Sequence, residues 1–79
     1  MNYLIKSITN GDIISFIGGE DGCSYMLNEN EAWTFDSPEK AINHLQENFE
    51  VTQKDTNKYQ HAESLLPTLF LIEITEFHQ

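Results

Sequence analysis

One stretch of the chain carries a complete helix signature, and everything else has to supply the surface on which that helix packs. From Ala32 to Phe49 the residues run Ala-Trp-Thr-Phe-Asp-Ser-Pro-Glu-Lys-Ala-Ile-Asn-His-Leu-Gln-Glu-Asn-Phe. Ser37 places a capping hydroxyl ahead of Pro38, whose missing N–H is no loss at the first helical position and whose φ is already set. Asp36 with Glu39 three residues on is an overlapping capping box, which leaves the start open by one residue. Ala41, Ile42, Leu45 and Phe49 then recur at helical spacing as one apolar stripe, with Lys40, Asn43, Gln46, Glu47 and Glu50 facing outward. A single amphipathic helix cannot hide its stripe alone, so strands on either side must cover it.

Strand signals lie on both sides. Tyr3 to Ile8 and Ile13 to Ile17 are rich in β-branched and aromatic residues and flank Thr9-Asn10-Gly11-Asp12. Asn-Gly is the strongest short hairpin signal, because both central residues of a type I′ turn need φ > 0. A two-residue turn at Asn10-Gly11 sets Ile8 opposite Ile13, Lys6 opposite Ser15 and Leu4 opposite Ile17. Both faces of this hairpin carry apolar residues, so one packs on the helix and the other is covered by a later loop or offered to a partner. Gly18-Gly19-Glu20-Asp21-Gly22 is a turn leading to a short third strand, Ser24 to Leu27. Asn28 to Glu31 is a polar loop, and Ala32 to Phe35 brings two aromatics to the mouth of the helix.

Beyond Phe49, residues 52–58 contain no aliphatic side chain, which predicts a loop. Asn57 to Leu66 is a candidate short helix ended before Pro67. Leu69 to Thr75 is a near-continuous apolar run, the pattern of a strand central in its sheet, with residues 77–79 as a frayed end. The sum is one α+β domain over residues 1–79: a three- to four-stranded, antiparallel-dominated sheet with one main helix on one face, in the order β-β-β-α-(short helix or loop)-β. A chain of 79 residues buries only about 60% of its unfolded surface, so modest stability is expected.

Charge narrows the function. Thirteen acids against four lysines and no arginine give −9 at pH 7, a field that repels phosphate backbones and anionic membranes. Direct nucleic-acid or membrane binding is therefore not expected. Between Ser7 and Glu39 seven acids (Asp12, Glu20, Asp21, Glu29, Glu31, Asp36, Glu39) occur without one Lys or Arg. Such a stretch is either a solvated face that keeps a small protein soluble or a patch that attracts a basic partner surface. Trp33 is a core residue closing the end of the fold, or an interface anchor.

Sequence motifs for chemistry are missing. Gly18, Gly19 and Gly22 fit no dinucleotide or phosphate loop. The residues 28–31 lack the central Gly and distal Glu of a calcium loop. His44, His61 and His78 have no metal-ligand spacing, and Cys23 is a lone thiol that permits no internal disulfide. Neither an enzyme nor a cofactor or metal is expected. The N-terminal residues lack a basic region followed by an apolar run, and no apolar stretch approaches the roughly 20 residues of a membrane span. The expectation is a soluble, intracellular protein.

The run Ala32-Trp33-Thr34-Phe35-Asp36-Ser37-Pro38-Glu39-Lys40-Ala41 resembles the Ala-x-x-Phe-x-Ser/Thr-x-Glu-x-Ala segment of small proteins encoded by phages and mobile elements. Those proteins often open with a strand like Tyr3-Leu4-Ile5-Lys6 and close with one like Leu69 to Glu76. The resemblance covers both ends and the helix, but not residues 50–68. It implies a compact accessory protein of anti-CRISPR or counter-defence type, acting in the cytoplasm of an infected bacterial host. Such a protein binds a basic host protein or ribonucleoprotein complex and blocks the groove where nucleic acid would lie. On that reading Glu20, Asp21, Glu29, Glu31 and Asp36 provide charge, with Trp33 or Tyr25 as apolar anchors. The alternatives are a small structural protein, monomeric or homodimeric through the second hairpin face, and a small ligand-binding module.

Overall fold

The computed structural model describes residues 1–9, 12–61 and 70–77. They form β1 (Asn2–Thr9), β2 (Ile13–Gly18), β3 (Ser24–Met26), a 3₁₀ turn (Glu29–Glu31), α1 (Pro38–Asn48), β4 (Val51–Asp55), β5 (Lys58–His61) and β6 (Phe70–Phe77). The sheet has six strands in the order β3-β2-β1-β6-β5-β4, and every pairing is antiparallel. Two three-stranded meanders meet at β1 and β6. Because β3 and β4 lie at opposite edges, the chain between them has to cross the whole sheet, and α1 makes that crossing over one face.

The helix forms as its sequence dictates. Ser37 Oγ accepts from the Lys40 N–H at 3.2 Å with Pro38 at the first position. Ala41 and Leu45 are fully buried against Ile5, Ile17, Tyr59, Ile72 and Ile74, with Ile42, Phe35, Phe49 and Val51 packed around them. Ile5 pairs with Ile74 and Ser7 with Ile72, so these side chains share the helix-covered face. Leu4, Lys6 and Ile8 alternate to the other face, where Leu4 is also buried.

Three expectations are corrected. The strand count is six, not three to four, because residues 51–61 form a hairpin and not a loop. Asp55 pairs with Lys58 across Thr56 and Asn57, and Asp55 Oδ1 accepts from the Thr56 N–H at 2.8 Å. An edge hairpin packs on one face only, and here Val51 and a buried Tyr59 suffice. The start of the expected second helix is strand Lys58–His61, and its remainder lies outside the described residues. The first hairpin is displaced by one: Ile8 pairs with Ile14 and Lys6 with Phe16, which leaves three residues between the strands. Asn10 and Gly11 themselves lie outside the described residues. β6 is central as expected, flanked by β1 and β5.

Segment 32–35 inserts where β1 and β2 splay apart. Tyr3 and Phe35 exchange two backbone hydrogen bonds of 2.7 Å, and the Trp33 N–H donates to the Ile17 carbonyl at 3.1 Å. The insertion needs glycine at position 18, because a Cβ there would overlap the Glu31 carbonyl oxygen.

Candidate functional site

The turn after β2 and the 3₁₀ turn approach each other where this inserted segment begins. The Gly19 N–H donates to the Glu31 carbonyl at 3.2 Å, fixing one loop to the other. Between them lies a shallow groove of about 650 Å³, lined by Gly19, Glu20, Asp21, Ser24, Met26 and Glu31. Ser24 and Met26 reach it because they pair with Gly18 and Phe16, which places them on the sheet face away from α1. The neighbouring Tyr25 alternates to the helix side, where its ring meets Phe49 and Phe70 at 6.2 and 5.8 Å. Partial burial there pushes the Tyr25 hydroxyl pKa up. Tyr25 is therefore no anchor for this groove.

Hydrogen bonds within the loop and to its neighbours brace it. Asp21 Oδ1 accepts from the Cys23 N–H at 2.9 Å and from the Ser24 hydroxyl at 3.1 Å. Those two donors, the backbone one foremost, hold its carboxyl below the ordinary value of 3.8, because they favour the charged form. Gly22 has φ of +70°, and a Cβ there would stand 2.6 Å from the Trp33 ring, so ring and loop are in direct contact. The Trp33 indole N–H donates to the Gly19 carbonyl at 2.7 Å. His44 Nε2 donates to the Gly22 carbonyl at 2.7 Å, while Asn48 Nδ2 donates to His44 Nδ1 at 3.3 Å; this pattern requires the Nε2–H tautomer. The imidazole also lies 5.3 Å from both the Trp33 and Phe35 rings. Helix α1 thus supports the loop from beneath.

Of the residues selected from sequence, Glu20, Asp21 and Glu31 come together around the groove. Glu29 sits in the same 3₁₀ turn as Glu31 and is exposed. Trp33, 39% exposed, is both a buttress of the loop and partly open to solvent, so neither a purely core nor a purely anchoring role describes it. Asp36 is not among the groove-lining residues. It pairs with Lys40 at 2.9 Å at the start of α1, and that lysine lowers its carboxyl pKa. Lys6 pairs with Glu73 across β1 and β6, and neither this pair nor Asp36–Lys40 involves a groove acid.

Sequence reasoning missed Gly19, Ser24 and Met26 as groove residues and His44 as a support. The spacing of Asp21 to Cys23 and Ser24 is that of an Asx turn, a signal available in the sequence. The part played by His44 depends on a contact 22 positions away, for which no local pattern exists.

The groove offers carboxylates on a rim and a thioether on its lining, a surface that suits a basic side chain with an aliphatic stem. Among the described residues no group of His, Cys, Asp and Glu is placed to hold a metal ion, and no helix is long and apolar enough to cross a membrane. Comparison with family models, curated proteins and solved structures gives no match for the chain.

Proposed function

We propose that the protein is a stoichiometric binder that presents Glu20, Asp21 and Glu31 to a basic, nucleic-acid-binding surface of a host defence complex. The observation that supports this is the convergence of those carboxylates on one groove, on loops tied together by Gly19–Glu31 and Trp33–Gly19 hydrogen bonds. Preorganised charge steers a partner of opposite sign and loses little entropy on docking. Glu29 flanks the contact, and the open edge of Trp33 adds apolar area beside it. Asp36 is left out of the proposed contact, because it does not line the groove and pairs with Lys40 instead. The resemblance of the helix junction to small phage and mobile-element proteins supplies the class of complex, an anti-CRISPR-like target in the bacterial cytoplasm.

The test is capture from a bacterial lysate on immobilised wild-type protein and, in parallel, on Glu20→Lys/Glu31→Lys. The expected result is a nucleic-acid-binding protein retained by the wild type, released by rising salt or added nucleic acid, and absent from the variant. Equal retention on both baits overturns the proposal.

A further inference from the structure

Four rings from four different parts of the chain close a circuit on the helix side of the sheet. Centroid to centroid, Tyr25 lies 6.2 Å from Phe49 and 5.8 Å from Phe70, and His61 lies 6.5 Å from Phe49 and 5.8 Å from Phe70. Tyr25 comes from β3 at one edge of the sheet, His61 from β5 and Phe70 from β6. Phe49 caps the end of α1, where its N–H donates to the Leu45 carbonyl. The strands between carry small side chains: Ser7 pairs with Ser15, and Thr9 with Phe70, which leaves room for rings from either side to meet. All four rings keep part of their surface in solvent, Tyr25 40% of it. Beside this open circuit, His61 Nδ1 is buried with no hydrogen-bond partner among the described residues.

We propose that the four rings form a cage for a methylated ammonium group. A ring face carries the negative part of the aromatic quadrupole and attracts a cation within about 6 Å of its centroid. A circuit with sides of 5.8 to 6.5 Å puts its centre roughly 4–5 Å from each centroid, inside that reach. Tyr25 and Phe49 stand at 70° and Phe49 and His61 at 88°, so the walls turn corners. That shape follows a near-spherical head group and not the flat guanidinium of arginine. Edge-to-face pairs also stabilise one another, which sets the walls in place before a ligand arrives and lowers the ordering cost of binding.

Charge and the unpartnered nitrogen select a cation over a neutral apolar group. A protein at −9 raises the local concentration of cations around it. In the Nε2–H tautomer His61 Nδ1 is an acceptor that has lost water and gained no donor, a cost that a bound ammonium offsets with its charge or a remaining N–H. The cage is separate from the acidic groove. Ser24 and Met26 line the groove from one face of β3, and Tyr25 between them turns to the other, so this site stands apart from the proposed function.

An NMR titration of the full chain with tetramethylammonium chloride, at ionic strength held constant with sodium chloride, tests this. The expected result is saturable millimolar binding read at the ring signals of Phe49, His61 and Phe70. Choline is expected to bind about tenfold or more tighter than its neutral isostere, in which a tert-butyl group replaces the trimethylammonium. A trimethyl-lysine peptide run beside choline separates a modified side chain from a free cation as the source, the tighter ligand naming it. Tyr25→Leu, at an exposed position, weakens binding about tenfold by removing one wall, with Phe49→Leu in its place if the amide spectrum shows Tyr25→Leu to be unfolded. Ring shifts that stay linear through about 100 mM overturn the proposal. So does equal binding of the neutral isostere, or a response at Glu20, Asp21 and Glu31 in place of the rings.

Discussion

The indole N–H of Trp33 donates to the carbonyl oxygen of Gly19 across 2.7 Å, so the segment that starts the helix also holds the loop that carries Glu20 and Asp21. The bond crosses 14 positions of sequence and ties the groove loop to the segment that enters α1. Its removal in Trp33→Phe keeps most of the ring and deletes the donor. The expected loss is about 1 kcal/mol, the net value of such a hydrogen bond, measured by urea denaturation. Stability equal to the wild type would show that the bond contributes nothing.

Gly22 has no room for a side chain and the wrong backbone for one. With φ at +70° and the Trp33 ring where a Cβ would stand, Gly22→Ala is expected to destabilise by more than about 1 kcal/mol. The near-ultraviolet circular dichroism of the tryptophan should change with it, since the ring must move. An unchanged spectrum and midpoint would contradict the contact.

The helix depends on its cap and on one side chain. Ser37→Ala removes the acceptor for the Lys40 N–H at a cost of about 1 kcal/mol. Leu45→Ala leaves a cavity at a fully buried position and costs about 2–5 kcal/mol. For 79 residues total stability is on the order of 4–12 kcal/mol, so Leu45→Ala removes a much larger share of it than Ser37→Ala. Thermal melts of the two variants check the order.

Acid should act partly through Asp21. Its carboxyl is held below 3.8, first by the Cys23 N–H and then by the Ser24 hydroxyl. A group whose pKa is lowered by folding contributes stability that is complete above its unfolded value and is lost as pH falls through its folded value. Asp21→Asn is therefore expected to melt below the wild type at neutral pH, with the gap closing as pH drops under 3.8. The effect is small because the group is fully exposed. A gap that is constant with pH would contradict the assignment.

Local signals were legible wherever one chain segment decides its own structure. Ser37-Pro38 and the Ala41, Leu45 stripe specify α1 without outside help, and the apolar run before Glu73 marks β6 as central. The β4–β5 hairpin was not legible, because its polar strands are defined by pairing and by the single buried ring of Tyr59. The first hairpin shows the same limit. Asn-Gly suggests a two-residue turn, but the register is set by Ser7 pairing with both Ile72 and Ser15, which is long-range information. The candidate site divides in the same way. The acids of the 19–31 region are visible as a charge run, and three of them share the groove, whereas Asp36 lies outside the groove lining and pairs with Lys40 at the start of α1. The supporting contacts of Trp33 and His44 arise only when the helix returns over the loop.

On the proposed function, the carboxylates around the groove act as one recognition surface for a basic partner. The measurement that tests it most directly is an amide-resolved NMR titration of the full chain with a short arginine-rich peptide, repeated with Glu20→Lys/Glu31→Lys. Saturable shifts confined to residues 18–33 and lost in the variant are expected. Shifts spread over all the acids of the chain, or unchanged in the variant, would contradict it.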